Sequence, residues 1–307
     1  MAGIGAEKII QFTGHAGAVY AVCAAETTST VFTAGSDGII ARWDIAGGVS
    51  KSALARVPGP VFSMLHLREK AQLWLGRDDG SIHVIDIRAQ KEVKLLKNHS
   101  KGVFCLIEFE GKVFAGGGDG TVSRINTESL QTELVFQASS EKVRTVLADK
   151  NTNSLFIASA DGYVRIFELD ALRPVKQWKA HENAANTLLL LPGNTLLTGG
   201  RDALLRFWDL NRDEMVPMNT ILAHNYAIYK VEAYPEEGIF ISCSRDKTLK
   251  IWDMNTHEVL FRISLQTAGG HRNSVNSFLF DAESRRLVSV SDDSVVMVWQ
   301  INGLPNN

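Results

Sequence analysis

Four sets of residues along this chain contain the parts of a nucleophilic triad. His15, Thr33, Asp37 and Trp43 form the first; His181, Thr198, Asp202 and Trp208 the second; His224, Ser242, Asp246 and Trp252 the third; His271, Ser289, Asp293 and Trp299 the fourth. A hydroxyl activated by an imidazole, itself oriented by a carboxylate, is the machinery of acyl transfer. Repetition argues against that use here. A catalytic site needs one convergent cleft, whereas a constellation repeated at constant offsets serves something that every repeat needs. The expectation is therefore structural: a polar network inside each unit, stable because every member finds a partner. No catalytic residue is assigned.

The elements that must position these residues repeat with them. An Asp stands six residues before a large apolar residue at Asp37, Asp79, Asp119, Asp161, Asp202, Asp246 and Asp293, with successive spacings of 42, 40, 42, 41, 44 and 47 residues. In each unit a β-prone run meets a tight polar turn at the Asp, and a second β-prone run follows, as in Ile239 to Asp253. Asp-Gly at 37, 79, 119 and 161 suits such turns, because Gly adopts positive φ cheaply. A period of this size without long helical patterns predicts an all-β propeller with one blade per unit. Each unit is too small to bury a core alone, so the blades must stack on one another and the whole chain, 1–307, reads as one domain. The repeats run roughly 13–54, 55–96, 97–136, 137–178, 179–220, 221–265 and 269–301. A spare strand at 8–12 precedes them, and the last unit lacks an outer strand. Pairing the two removes an open edge and closes the ring, so deleting residues 1–13 should cost stability and deleting Leu304 to Asn307 should do little.

Composition excludes several functions. The formal net charge is −2, with both signs spread along the chain, which gives no field for a phosphate backbone and hence no nucleic-acid partner. No run is long and apolar enough to cross a membrane, and position 2 is Ala, not the Gly that myristoylation needs. Cys23, Cys105 and Cys243 are odd in number, unclustered and set among aliphatic residues, which implies reduced core thiols and a cytoplasmic address. His66, His83 and His257 have no ligand spacing, so neither metal nor cofactor is expected. Gly116-Gly117-Gly118-Asp119-Gly120 resembles a phosphate loop, but no helix follows it and it coincides with the third turn.

Gly14-His15 with Trp43-Asp44, Ala180-His181 with Trp208-Asp209, and Ala223-His224 with Trp252-Asp253 resemble the GH and WD signatures of WD40 repeats, and the likeness extends over about residues 8 to 301. The resemblance implies a seven-bladed β-propeller of four-stranded antiparallel blades. It also implies that each quartet forms a chain of hydrogen bonds from indole through hydroxyl and imidazole to carboxylate. Units two to four depart from the pattern, with Leu75, Ala115 and Ile157 in the hydroxyl slot and Ile85, Ile125 and Phe167 in the Trp slot. Apolar packing is expected to replace the network there, so Asp202→Ala should cost more than Asp161→Ala.

By the same resemblance, the usual partner-binding face is the rim of the central channel. The slots near the start of the innermost strands hold Tyr20, Phe62, Phe104, Arg144, Asn186, Tyr229 and Asn276, and the residues before the turn aspartates include Arg201 and Arg245. Tyr and Arg are types enriched at binding hot spots, and arginine grips carboxylate or phosphate. The expected function is a non-catalytic scaffold for a protein or peptide carrying an acidic or phosphorylated residue, acting as a monomer or within a larger complex. The alternative is a propeller enzyme or small-ligand binder using the channel mouth.

Overall fold

The structure, a computed structural model, describes residues 3–47 and 51–304; the sequence-predicted limit of the first repeat near 54 is approached through residues 48–50, which lie outside the described residues, as does the tail 305–307. The protein is a seven-bladed all-β propeller: seven four-stranded antiparallel sheets account for nearly all its regular structure. The first sheet runs Val19–Ala24, Thr30–Gly35, Ile39–Asp44 and Lys51–Arg56, each strand pairing with the next, and the following five repeat this meander. The seventh contains three consecutive strands, Val275–Asp281, Arg286–Ser291 and Val296–Asn302, and takes its fourth from the N-terminus. That strand is Gly5–Phe12, three residues longer than the pattern at 8–12 suggested. It pairs from Gly5 opposite Asn302 to Phe12 opposite Val296. Phe12 then stacks on Trp43 of the first sheet at 4.7 Å.

The alternation along each strand sets the packing. The second strand of each sheet is the most buried, as in Thr30–Gly35 and Leu-rich Thr195–Gly200, because sheets cover both of its faces. Fourth strands such as Thr132–Gln137 and Pro174–Lys179 are mostly exposed and carry Lys, Gln and Glu, which suits an edge. Chain contacts divide the molecule into two compact units, one of residues up to Pro60 together with Tyr226 onward, the other Val61–Asn225. Within the first unit, the opening strands of sheets six, seven and one pack in sequence; within the second, those of sheets two to five do. The C-terminal expectation needs correction. Leu304 is 4 % exposed and belongs to the apolar cluster of Ile301, Trp299 and Leu287, and its carbonyl accepts from Arg285. It is an anchor, not a dispensable tail.

Among the described residues no helix is long and apolar enough to cross a membrane. Only one short α-helix occurs among them, Leu265–Ala268, between the sixth and seventh sheets.

Candidate functional site: turn networks and bulged strand starts

The polar quartets lie where each turn meets its sheet. In the first, Trp43 Nε1 donates to Thr33 Oγ1 (2.6 Å), Thr33 lies 2.8 Å from His15 Nε2, and His15 Nδ1 lies 3.0 Å from Asp37 Oδ2. One tautomer satisfies all three contacts: Thr33 donates to Nε2 and Nδ1–H donates to the carboxylate. The same chain runs through Trp208, Thr198, His181 and Asp202 at 3.0, 2.8 and 2.8 Å, and through Trp299, Ser289, His271 and Asp293 at 2.9, 2.8 and 3.0 Å. In the sixth sheet Trp252 donates to Ser242 at 2.8 Å. Each Asp also accepts backbone N–H groups, for Asp37 those of Ala16 and Ile39, and so ties the loop before the first strand to the hairpin turn. The serine and threonine members are fully buried, and the arrangement braces a turn.

In units two to four the hydroxyl and Trp slots, Leu75, Ala115, Ile157, Ile85, Ile125 and Phe167, are buried and apolar as expected, but each turn Asp keeps polar partners of its own. In unit three, His99 Nε2 meets Ser123 Oγ (3.0 Å) and His99 Nδ1 meets Thr121 Oγ1 (2.7 Å), which donates to Asp119 (2.7 Å). Ser123 sits directly across the ladder from Ala115, so the hydroxyl comes from the neighbouring strand. In unit four, Asp161 accepts from Ser139 (3.0 Å), Ser159 (2.8 Å) and both terminal nitrogens of Arg165 (2.6 and 3.3 Å). In unit two, Asp79 accepts from Ser81 (2.6 Å) and Arg77 (3.0 Å). The slot four residues after the Asp, Arg165 here and Arg206 beside Asp202, supplies a cation that the sequence pattern did not reveal. The basis for ranking Asp202 above Asp161 is therefore gone.

These contacts set the protonation states. Burial alone would raise the Asp161 carboxyl, but Arg165, the Tyr163 N–H and Ser159 outweigh it and hold the group at about 2. Asp119 is likewise held at about 2, where the Ser100 N–H and Thr121 overcome burial. Asp202 is lowered further by His181 and Arg206 against the same burial. Burial lowers His99 and His181 in spite of their aspartates, so both are neutral near pH 7. The three cysteines are free, and burial pushes each thiol up to about 12. Among the described residues no group of three or more His, Cys, Asp or Glu is placed to hold a metal.

A second recurring feature lies at the start of each sheet. The ladder between first and second strands skips one residue every time, passing from Val19 to Ala21, Val61 to Ser63, Val103 to Cys105, Val143 to Thr145, Ala185 to Thr187, Ile228 to Lys230 and Val275 to Ser277. The skipped residues are Tyr20, Phe62, Phe104, Arg144, Asn186, Tyr229 and Asn276. A bulge frees its residue from the pleat and re-aims its side chain, a common device beside functional sites. Backbone bonds clamp the turn to the same point: Ser36, Gly118, Ala160, Arg201, Arg245 and Asp292 each donate to the chain just before the first strand, at 2.8 to 3.1 Å.

Within Val61–Asn225 the bulged side chains meet. Phe62 and Phe104 stack at 5.1 Å and 9°. Arg144 lies 5.1 Å and Lys142 5.5 Å from the Phe104 ring centre. Glycine makes room for this group: a Cβ on Gly102 would stand 2.8 Å from Phe62, and one on Gly118 2.9 Å from Phe104. Asn186 is buried and Arg201 exposed. Within the other unit, Asn276 donates to Val19 O (2.9 Å) and Asp292 (2.8 Å), so it braces the sheets. Burial and then the Asp292 charge raise the Tyr20 phenol. Arg245 lies 6.0 Å from the ring of Tyr226, which is 60 % exposed. Lys142 and Tyr226 are neighbours that the slot reading missed; both precede the skipped residue, where no repeat signal marks them.

The family model for the WD domain, G-beta repeat, matches residues 6–44, 172–209, 215–253 and 262–300, together half of the chain. The chain belongs to the WD40 family. The matched segments cover units one, five, six and seven, those with the full quartets, while the rerouted units two to four fall outside them. This WD40 chain is 24 % identical over 239 residues to the WD repeat-containing protein 55 homolog of Dictyostelium discoideum, covering 73 % of the chain and 55 % of that protein. It is 35 % identical over 131 residues to the Nuclear distribution protein PAC1 of Candida albicans, covering 41 % and 26 %. The chain thus spans about half of the first relative and a quarter of the second. Its fold matches the WD40 beta propeller domain of Doa1 with a TM-score of 0.84 at 20 % identity, over 96 % of this chain and 97 % of that one. WD40 propellers generally mediate protein–protein interactions and are generally non-enzymatic.

Proposed function

We propose that this WD40 propeller, one domain over residues 1–307, is a non-catalytic scaffold that binds a partner protein or peptide at the rim of its central channel. The observation that carries the reading is the cluster of Phe62, Phe104 and Arg144 on consecutive strand bulges, with the aromatic rings stacked and the Arg144 guanidinium over the Phe104 ring. A flat aromatic surface beside a cation suits a peptide that carries an apolar residue next to an acidic or phosphorylated one. Arg201, exposed in the turn after the next strand start, offers a second grip on the anion. Serines and threonines of the quartets support no catalytic role, because each hydroxyl is buried and committed to a Trp or His. The net charge of −2 supports a protein partner over nucleic acid, and three free cysteines support a reducing, cytoplasmic compartment.

The test is affinity capture from native cells with the wild type, Tyr20→Ala/Phe62→Ala and Arg201→Glu/Arg245→Glu, each shown to keep its melting temperature. Both variants should lose a shared subset of partners, and replacing Arg144 by Glu should remove the acidic or phosphorylated ones. Stable variants that capture every wild-type partner would move the site off the rim.

A further inference from the structure

The turn aspartates recur every 40 to 44 residues until the last interval, Asp246 to Asp293, which is 47. Part of that interval is the connection from the strand Val259–Ile263 to the strand Val275–Asp281, where Ser264 caps the one-turn helix Leu265–Ala268. The insert is tied down on several sides. Ser264 and Thr267 form a reciprocal cap, Thr267 Oγ1 donates to Arg262 O (2.7 Å), and Lys8 Nζ donates to Gly269 O (2.9 Å). A blade needs no such segment, and in repeat proteins ordered insertions into connections are where binding surfaces are added.

With the sixth turn, the insert walls a pocket of about 390 Å³ whose lining includes Asp246, Lys247, Thr248, Arg262, Leu265 and Arg272. Lys247, Arg262 and Arg272 are exposed, and among the described residues their side chains make no ion pair or hydrogen bond. The carboxylate of the lining, Asp246, accepts the N–H and hydroxyl of Thr248 at 3.1 and 2.6 Å. The remaining imidazole, His271, is engaged with Asp293 at 3.0 Å. Arg262 also stands directly opposite Lys250 on the neighbouring strand, and like charges across a ladder are unfavourable. Burial, with Arg262 adding to it, lowers the Lys250 ammonium in spite of Asp246. Positive charge is concentrated here beyond what the local carboxylate balances.

We propose that this pocket, lined by none of the residues assigned to the channel rim, binds a phosphate monoester dianion through Lys247, Arg262 and Arg272. Guanidinium forks match phosphate oxygens in pairs, and three cations around one pocket fit a doubly charged group better than a single carboxylate. Leu265, 48 % exposed, gives the carrier of the phosphate an apolar lip to lie on. A bilayer surface is disfavoured, since membrane patches use clusters of about four to eight cations.

The full chain is titrated by calorimetry and by amide NMR with inorganic phosphate, free phosphoserine, a peptide carrying one phosphoserine among apolar residues, and the same peptide unphosphorylated. Phosphate-bearing probes should saturate, shift the amides of Lys247, Arg262 and Arg272, and bind Arg262→Gln/Arg272→Gln at least about tenfold more weakly, the loss of one charge-assisted hydrogen bond. A preference for the phosphopeptide assigns the phosphate to a modified partner; equal binding of phosphoserine and peptide assigns it to a small soluble ester. Amide shifts at Lys247, Arg262 and Arg272, read apart from those at Arg144 and Arg201, keep this outcome distinguishable from binding at the rim. No saturation at millimolar probe, or equal binding by the wild type and a normally melting Arg262→Gln/Arg272→Gln variant, overturns the proposal.

Discussion

Replacing Asp161 by Ala probes whether the rerouted units are braced as firmly as the full ones. The substitution deletes the acceptor for Ser139, Ser159, the Tyr163 N–H and both terminal nitrogens of Arg165. Asp161 and Arg165 are 17 % and 15 % exposed, so the guanidinium left behind is poorly hydrated. Breaking a fully buried pair costs about 3–5 kcal/mol; for this partly wetted one we expect about 2–3 kcal/mol. In a chain of this size that is a fall of about 3–5 °C in Tm. Asp202→Ala removes a partner from Arg206 and His181 at 2.8 Å each, with 11 % and 16 % exposure in the ion pair, and should cost the same within about 1 kcal/mol. The assay is urea unfolding at pH 7 followed by tryptophan fluorescence, with Arg165→Ala added to complete a double-mutant cycle. A coupling of about 1–3 kcal/mol between Asp161 and Arg165 is expected. If Asp161→Ala unfolds within about 0.5 kcal/mol of the wild type while Asp202→Ala loses several times more, the cluster of unit four contributes nothing and the reasoning fails.

Ser123→Ala should destabilise unit three by about 1–3 kcal/mol, because His99 Nε2 is left buried without its partner; an unchanged melt would show that the 3.0 Å contact is idle. Gly200→Ala places a Cβ 2.2 Å from His181 Nδ1 and 2.5 Å from Asp202 Oδ1, so it should lower Tm more than alanine at Gly193, where nothing lies within 4 Å. Gly193 has φ 75, so some strain is expected there too, and it is the excess at Gly200 that calorimetry must detect. On acidification from pH 7, the unfolded chain should take up protons first at the sites of His99 and His181, whose folded forms burial holds below the ordinary value of about 6.5; stability should therefore start to fall below that pH. Asp119 and Asp161, at about 2 when folded, contribute fully above about pH 4 and lose their contribution as pH falls through about 2; a urea midpoint that rises between pH 7 and pH 4 contradicts the histidine assignment, and one that stays level from pH 4 to pH 2 contradicts the aspartate assignment. Removing residues 1–13 unpairs the whole edge from Val296 to Asn302 and takes Phe12 off Trp43; the truncated chain should melt lower and self-associate in sedimentation velocity.

The period of the turn aspartates was enough to establish seven units, each with a hairpin at its turn, and the strand signal at 8–12 stood spare before them, because these follow from local patterns: alternation, a polar turn and the spacing between them; the four-stranded blade was implied by the resemblance to WD40 repeats. Asp37, Asp202 and Asp293 were legible for the same reason, each standing at a fixed offset from its His, hydroxyl and Trp. Their relatives in units two to four were not. Ser123 reaches His99 only because it faces Ala115 across the ladder, and Arg165 reaches Asp161 only because the hairpin folds it back. A slot read along the chain cannot see a partner supplied by the strand beside it. The strand starts divide in the same way. Tyr20, Phe62, Phe104 and Arg144 could be picked out by register with the histidine, but the bulge that turns each of them out, the stacking of the two phenylalanines and the diversion of Asn276 into a brace between sheets were decided by pairing and packing. Leu304 makes the point at the C-terminus: beyond the last repeat it has no pattern to belong to, and only the apolar cluster formed by the folded sheets shows that it is held.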